Sequence, residues 1–266
     1  MNQVAKLETA NQEIEAFERD GVICLRGVFD DAWLVRMRIA TERGLLNPGP
    51  NSDDIYNGGR FLNDNFMWTR DEDFRAFVFE SPACRLALQV LRSQKINFLA
   101  DNLLVKEPYA NSPVSWHNDA PYWPVIGSKL CTIWLALDSV TRESGAIEYI
   151  KGSHKWGKQL LAQSDPTKLV QRKDNELLSW DLEPGDCLIH HMLTLHSSSS
   201  NTSSRRRRGL ATVWAGDDVT YHFLPDTWFL RVVEGLGIPE CNSLQNLETG
   251  GPIDCALFPR VLPRHV

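Results

Sequence analysis

No stretch of the 266-residue chain stays apolar for the roughly 18 residues that a membrane-crossing helix needs. The opening MNQVAKLETANQEIEAFERDG is polar and amphipathic and lacks the apolar block of a secretory leader. Paired cysteines are missing as well. Cys24, Cys84, Cys131, Cys187, Cys241 and Cys255 are scattered and form no CxxC, so they are expected to be reduced thiols of a cytoplasmic protein. Positive charge is short too: a formal net charge of −6 argues against nucleic acid or an anionic membrane as the main partner. No internal repeat is found. What is present suffices for a sizeable core, with 42% hydrophobic and 23% charged residues. The length fits one large β domain as well as two small ones, and the whole chain, 1–266, is read as one domain.

The N-terminal third reads as helical. Ile14 and Phe17 lie one turn apart in an expected helix over 10–19, and Gly21 ends it. VICLRGVF (22–29) reads as a strand, and Asp30 or Asp31 opens a second helix carrying Leu34, Met37 and Ala40. Residues 44–59 are rich in turn formers and read as a loop, and Ser81-Pro82 opens a helix over 82–92. Beyond this the pattern changes to short segments rich in strand formers, at 96–108, 129–138, 146–152, 186–196 and 208–216, separated by turn signals such as ESG and EPGD. The expectation is a mainly β fold with flanking helices, a sandwich or barrel of short strands, with SSSSNTSS (197–204) as a loop.

Chemistry concentrates in SWHNDAPYWP (115–124). On a strand, residues i and i+2 face one side, so His117 and Asp119 point together. An imidazole and a carboxylate are two of the three ligands of the facial triad that holds non-haem Fe(II) and leaves positions open. The third must come from elsewhere, with His154, His190, His191, His196 and His222 as candidates. If 186–196 is one continuous strand, His190 and His196 share a face; periodicity favours these two and does not choose between them. The run RRRR (205–208) opens the following strand, where only alternate arginines face inward. An inward arginine is a natural bidentate partner for a carboxylate or phosphate.

Together these parts resemble the phytanoyl-CoA dioxygenase-like group of Fe(II)/2-oxoglutarate oxygenases. The resemblance covers roughly residues 12 to 216 and rests on FERDGVICLRGVF, LLVKEP before the HxD, GAIEYIKGSHKWG, PGD, and HSSSSN followed by an arginine. It implies a double-stranded β-helix (jelly-roll, cupin-like) core at about 96–216 with a C-terminal extension, and Fe(II), 2-oxoglutarate and O2 as cofactor and co-substrates. It also implies His196 as the distal ligand with His117 and Asp119, because the family's 2-oxoglutarate arginine lies eleven positions after that histidine, which is Arg207. Asn102, Trp134 and Ser198 are implied to contact 2-oxoglutarate. The carboxylate at Asp119 favours hydroxylation, desaturation or ring chemistry at an unactivated C–H over halogenation, with succinate and CO2 released. His154 falls in a structural turn of the family and is left out of the site.

Trp116, Tyr122, Trp123 and Arg60, with Trp68, are candidates for a substrate pocket. No basic cluster besides RRRR is available for coenzyme-A phosphates, so a free small molecule is expected, bound by a monomer or homodimer. Two readings of other classes use the same scaffold: a cupin-like metalloenzyme that does not use 2-oxoglutarate, and a non-catalytic binding module. Arg207 at its spacing speaks against the first, and the complete ligand set against the second.

Overall fold

The computed structural model of the chain describes residues 11–157, 170, 174–224 and 228–263. Five helices are described: α1 (Asn11–Asp20), α2 (Asp31–Leu46), α3 (Glu72–Glu80), α4 (Ala83–Val90) and α5 (Trp228–Leu236). Ile14 and Phe17 are the buried apolar positions of α1, and Gly21 leaves it in the left-handed region at φ 79°. Asp30 caps α2 by accepting the Trp33 N–H, and Leu34, Met37 and Ala40 are buried beneath it. Ser81 Oγ accepts the Ala83 N–H at the start of α4.

The strands are β1 (Val22–Leu25), β2 (Asp53–Asn57), β3 (Gly59–Asn65), β4 (Ile96–Lys106), β5 (Val114–His117), β6 (Val125–Ile126), β7 (Leu130–Ala136), β8 (Ile147–Ile150), β9 (Leu177–Leu178), β10 (Cys187–His191), β11 (His196–Ser198), β12 (Arg207–Ala215), β13 (Thr220–Tyr221) and β14 (Arg260–Leu262). An eight-stranded sheet runs β1-β10-β7-β12-β4-β3-β2, with β14 also on β4; a four-stranded sheet runs β5-β11-β8-β9, and β13 pairs with β6. All pairings are antiparallel.

Strand alternation divides the large sheet into two faces. Leu62, Leu103, Val105, Ile133, Leu135 and Ile189 turn toward the helices and join one apolar core with Met37, Phe74, Phe77 and Leu86. Trp134, Ala136, Leu188 and Ala211 turn the other way and meet Ala146, Ile147 and Tyr149 beside the small sheet. Each fully buried side chain such as Leu103 or Val105 contributes about 1.5–3 kcal/mol of transfer free energy.

Three expectations need correction. The strand expected over 22–29 stops at Leu25, because Val28 and Phe29 donate their N–H groups to Gly185 O and Asp186 takes the Gly27 N–H, bending the chain out of the sheet. The expected loop over 44–59 contains β2, which forms a hairpin with β3 across Gly58 at φ 75°. All five residues of β2 are exposed, so no apolar alternation marks it in the sequence. The continuous strand expected over 186–196 is broken at Met192–Leu195, and its halves, β10 and β11, lie in different sheets. The break has partners on every side: Met192 O accepts from Asp119 N and Ala120 N, Thr194 Oγ1 donates to Gly21 O, and Leu195 N donates to Ser153 Oγ. All six cysteines are free thiols, and no helix among the described residues is long and apolar enough to cross a membrane.

Candidate active site

His117 ends β5 and His196 begins β11, and the two strands pair in register at these residues. Their rings lie 4.3 Å apart between centroids. Asp119 is not on the strand, contrary to the same-face argument for HxD. It lies two residues beyond the end of β5, with helical backbone angles, and heads a 3-10 turn over Ala120–Tyr122 while its N–H donates to Met192 O. The convergence survives by another route. The ligand atoms of His117, Asp119 and His196 all lie within 4.8 Å of one another, with Asp119 Oδ1 3.6 Å from His117 Nε2 and 3.7 Å from His196 Nε2.

Neighbouring groups assign the protons. His117 Nδ1 faces Ser115 O at 2.8 Å, and His196 Nδ1 faces Thr194 O at 3.0 Å. Each Nδ1 therefore carries the hydrogen, and each Nε2 presents its lone pair toward Asp119, the arrangement a metal ligand needs. Asp119 divides its carboxylate in the same way. Oδ2 accepts from Thr132 Oγ1 at 2.9 Å and from His190 Nε2 at 3.2 Å, while Oδ1 is turned to the two ligand histidines. Burial alone would raise the Asp119 pKa, but His196 beside it and the hydrogen bond from His190 hold the carboxyl well below the usual range. Burial, followed by His117, pushes the His196 imidazole down, so it is neutral at pH 7. Two imidazoles and one carboxylate with orienting partners suit non-haem iron.

His190, which periodicity left level with His196, thus supports Asp119, and its Nδ1 meets Tyr149 Oη at 3.2 Å. Thr132 and Tyr149 went unnoticed in the sequence. Alternation with Trp134 would have placed Thr132 on the same face, but nothing in the sequence brings Tyr149 to His190.

The triad opens into a cavity of about 600 Å³ between the two sheets. Asn102, Trp134, Ser198 and Arg207 line it, as do Trp116, Tyr122 and Trp123. Arg60 does not: it lies on the opposite face of β3, paired with Asp54 and bonded to Leu45 O. Trp68 packs against Phe98 and Phe79 in the helix-side core. Of the four consecutive arginines, Arg206 pairs with Glu42 and Glu107, and Arg208 with Asp138 and Glu42, whereas Arg205 is exposed. Arg207 is 2% exposed and has no ion pair or hydrogen-bond partner for its side chain among the described residues. Its guanidinium lies over the Trp134 ring, 4.7 Å from the centroid. Gly209 makes this stack possible, since a Cβ there would meet Trp134 Cζ2 at 1.8 Å. Burial lowers the Arg207 pKa to about 10, which leaves it protonated at pH 7. Trp134 Nε1, also buried, lacks a partner. A buried uncompensated cation beside an orphaned donor fits an anionic ligand.

Comparison with known proteins agrees with this geometry. The sequence profile described as phytanoyl-CoA dioxygenase (PhyH) matches residues 17–209. A probable alpha-ketoglutarate-dependent hypophosphite dioxygenase of Stutzerimonas stutzeri is 29% identical over 153 residues, 48% of this chain and 52% of the relative. The dioxygenase lolE1 of Epichloe uncinata is 29% identical over 226 residues, 80% of this chain and 82% of the relative. The chain thus spans about half the length of the first relative and most of the second. Among solved structures, the non-heme alpha ketoglutarate dependent carbocyclase SnoK from nogalamycin biosynthesis superposes with a TM-score of 0.77 at 21% identity, covering 96% of this chain and 98% of that one. The epimerase SnoN, solved in complex with Fe3+, alpha ketoglutarate and nogalamycin RO, gives 0.73 at 21% identity, covering 98% of this chain and 100% of that one. At that identity the structural likeness speaks for the fold. With the profile matching most of its length, the chain belongs to the phytanoyl-CoA dioxygenase family.

Proposed function

We propose that this chain is an Fe(II)- and 2-oxoglutarate-dependent oxygenase that hydroxylates, or desaturates, an unactivated C–H of a free small molecule and releases succinate and CO2. The observation that carries the reading is one cavity holding both the convergent His117, Asp119 and His196 and the buried, unpaired Arg207. Bound at this triad, Fe(II) supplies the activation of O2 that is coupled to oxidation of 2-oxoglutarate.

The protein's own part is positional. Thr132 and His190 hold one Asp119 oxygen so that the other points at the ligand histidines. Arg207 offers a planar fork for the distal carboxylate, and the Trp134 ring fixes the plane of that fork. Asn102 and Ser198, with the Trp134 N–H, are the polar groups assigned to 2-oxoglutarate. Trp116, Tyr122 and Trp123 line the cavity and are the side chains assigned to the substrate. A coenzyme-A thioester fits poorly, because Arg205, Arg206 and Arg208 are exposed or paired with carboxylates and, among the described residues, Arg207 is the one arginine on the cavity wall. The two sheets enclosing the cavity support a double-stranded β-helix core, and the chain is taken as one oxygenase domain.

The test is anaerobic reconstitution with Fe(II) and 2-oxoglutarate, followed by admission of oxygen. A charge-transfer absorption before oxygen and slow succinate release after it are expected. Asp119→Ala should weaken iron binding by more than about a hundredfold, since the loss of supporting groups alone costs 10–100-fold. With no absorption, no succinate and unchanged iron affinity in Asp119→Ala, the reading is wrong.

A further inference from the structure

Lys106 ends β4 directly opposite Arg207 in the register, and its side chain is fully buried. No carboxylate lies within ion-pair distance among the described residues. Nζ donates to Ser198 Oγ at 2.9 Å and to Ser199 O at 2.6 Å, and it sits 5.6 Å from the centroid of the Phe61 ring. The groups packed around it are Arg207 on β12, Phe61 on β3, Ser198 and Ser199, and Gly145. Arg207 is the one charged group among them. Glu107, next in the chain, is taken by Arg206.

Donor counting gives this contact a direction. An ammonium has three N–H donors and no acceptor, whereas a hydroxyl has one proton and two lone pairs. Ser198 Oγ must therefore accept from Lys106, and its own proton must go elsewhere. No acceptor for that proton is found among the described residues, and Ser198 lines the cavity together with Arg207, whereas Lys106 stands behind it. We propose that Lys106 is a positioning residue that locks the Ser198 hydroxyl as a donor into the cavity, so that Ser198 and Arg207 grip the same carboxylate of 2-oxoglutarate. This rests on the 2-oxoglutarate reading above. An uncharged Lys106 would have a lone pair of its own, and the Ser198 proton could then turn back toward Nζ. Burial, followed by Arg207, lowers the Lys106 pKa to about 7, so this exchange falls within an accessible pH range.

The experiment is anaerobic calorimetry of 2-oxoglutarate binding to the Fe(II)-loaded protein at pH 6 and pH 8, for wild type, Lys106→Met, Ser198→Ala and the double variant. Wild-type Kd should rise about tenfold from the lower to the higher pH, the scale of one charge-assisted hydrogen bond. Lys106→Met should bind weakly and with a flat profile, Ser198→Ala should lose most of the pH slope, and the double variant should be no worse than the weaker single one. A Lys106→Met protein with wild-type affinity and slope overturns the assignment. So does additivity of the two substitutions, which would separate Lys106 from Ser198. Should Lys106→Met fail to fold, the wild-type and Ser198→Ala profiles decide the matter: a slope that survives Ser198→Ala overturns the proposal. A wild-type protein that binds no 2-oxoglutarate at either pH sinks the proposed function itself, and the Lys106 role with it.

Discussion

The two faces of the large sheet are built from the same strands and follow opposite rules. Toward the helices, Leu103 and Val105 of β4 and Ile133 and Leu135 of β7 pack into an apolar core. One residue along on those strands, Asn102, Lys106, Thr132 and Trp134 face the small sheet, and there Asn102 Oδ1, Trp134 Nε1 and Arg207 Nε are buried with no hydrogen-bond partner among the described residues. Apolar burial stabilises the first face, while the second holds charges and donors whose partners must come from a ligand. The difference separates stability from binding onto alternate residues of one strand.

Substitutions on each face should therefore have different signatures. The largest effect on folding is expected for Leu103→Ala, which should lower stability by about 2–5 kcal/mol in denaturant titration while leaving 2-oxoglutarate affinity nearly unchanged in the folded fraction. Arg207→Met reverses the pattern: 2-oxoglutarate affinity should fall by at least about tenfold, and the melting temperature without ligand should hold or rise, because an unpaired buried charge is replaced by an apolar chain. A loss of stability like that of Leu103→Ala would break the comparison. Gly209→Ala lies between the two. Its Cβ forces the Trp134 ring away from Arg207, at a cost of about 1–3 kcal/mol in stability together with weaker 2-oxoglutarate binding, read by melting and calorimetry. Smallest is Arg206→Ala, which removes half-exposed ion pairs with Glu42 and Glu107. It should change stability by less than about 1 kcal/mol and affinity not at all.

The sequence made one of these faces easier to read than the other. Enrichment in strand formers between turn signals placed β4, β7 and β12 within a few residues. It missed β2, whose side chains all meet solvent and carry no pattern. It also drew one strand through 186–196, since Met192 and Leu195 continue the apolar run although their backbone partners lie on Asp119 and Ser153. Long-range hydrogen bonds of that kind leave no local signal. His117 and Asp119 were legible as residue types at a spacing, whereas His196 was separated from His190 only by the family resemblance, and the strand argument for Asp119 gave the right neighbour by the wrong path. The pairing of Arg60 with Asp54 depends on the β2–β3 hairpin and was hidden along with it.

The break between β10 and β11 has a consequence for cohesion. His117 and His196 belong to the small sheet, whereas Asp119 is tethered by Thr132 and His190 of the large one. An ion held by all three acts as a rivet between the layers, and its binding free energy adds to their adhesion. At a hundred times its dissociation constant such an ion would contribute about 2.7 kcal/mol against unfolding, a stabilisation that chelation would remove.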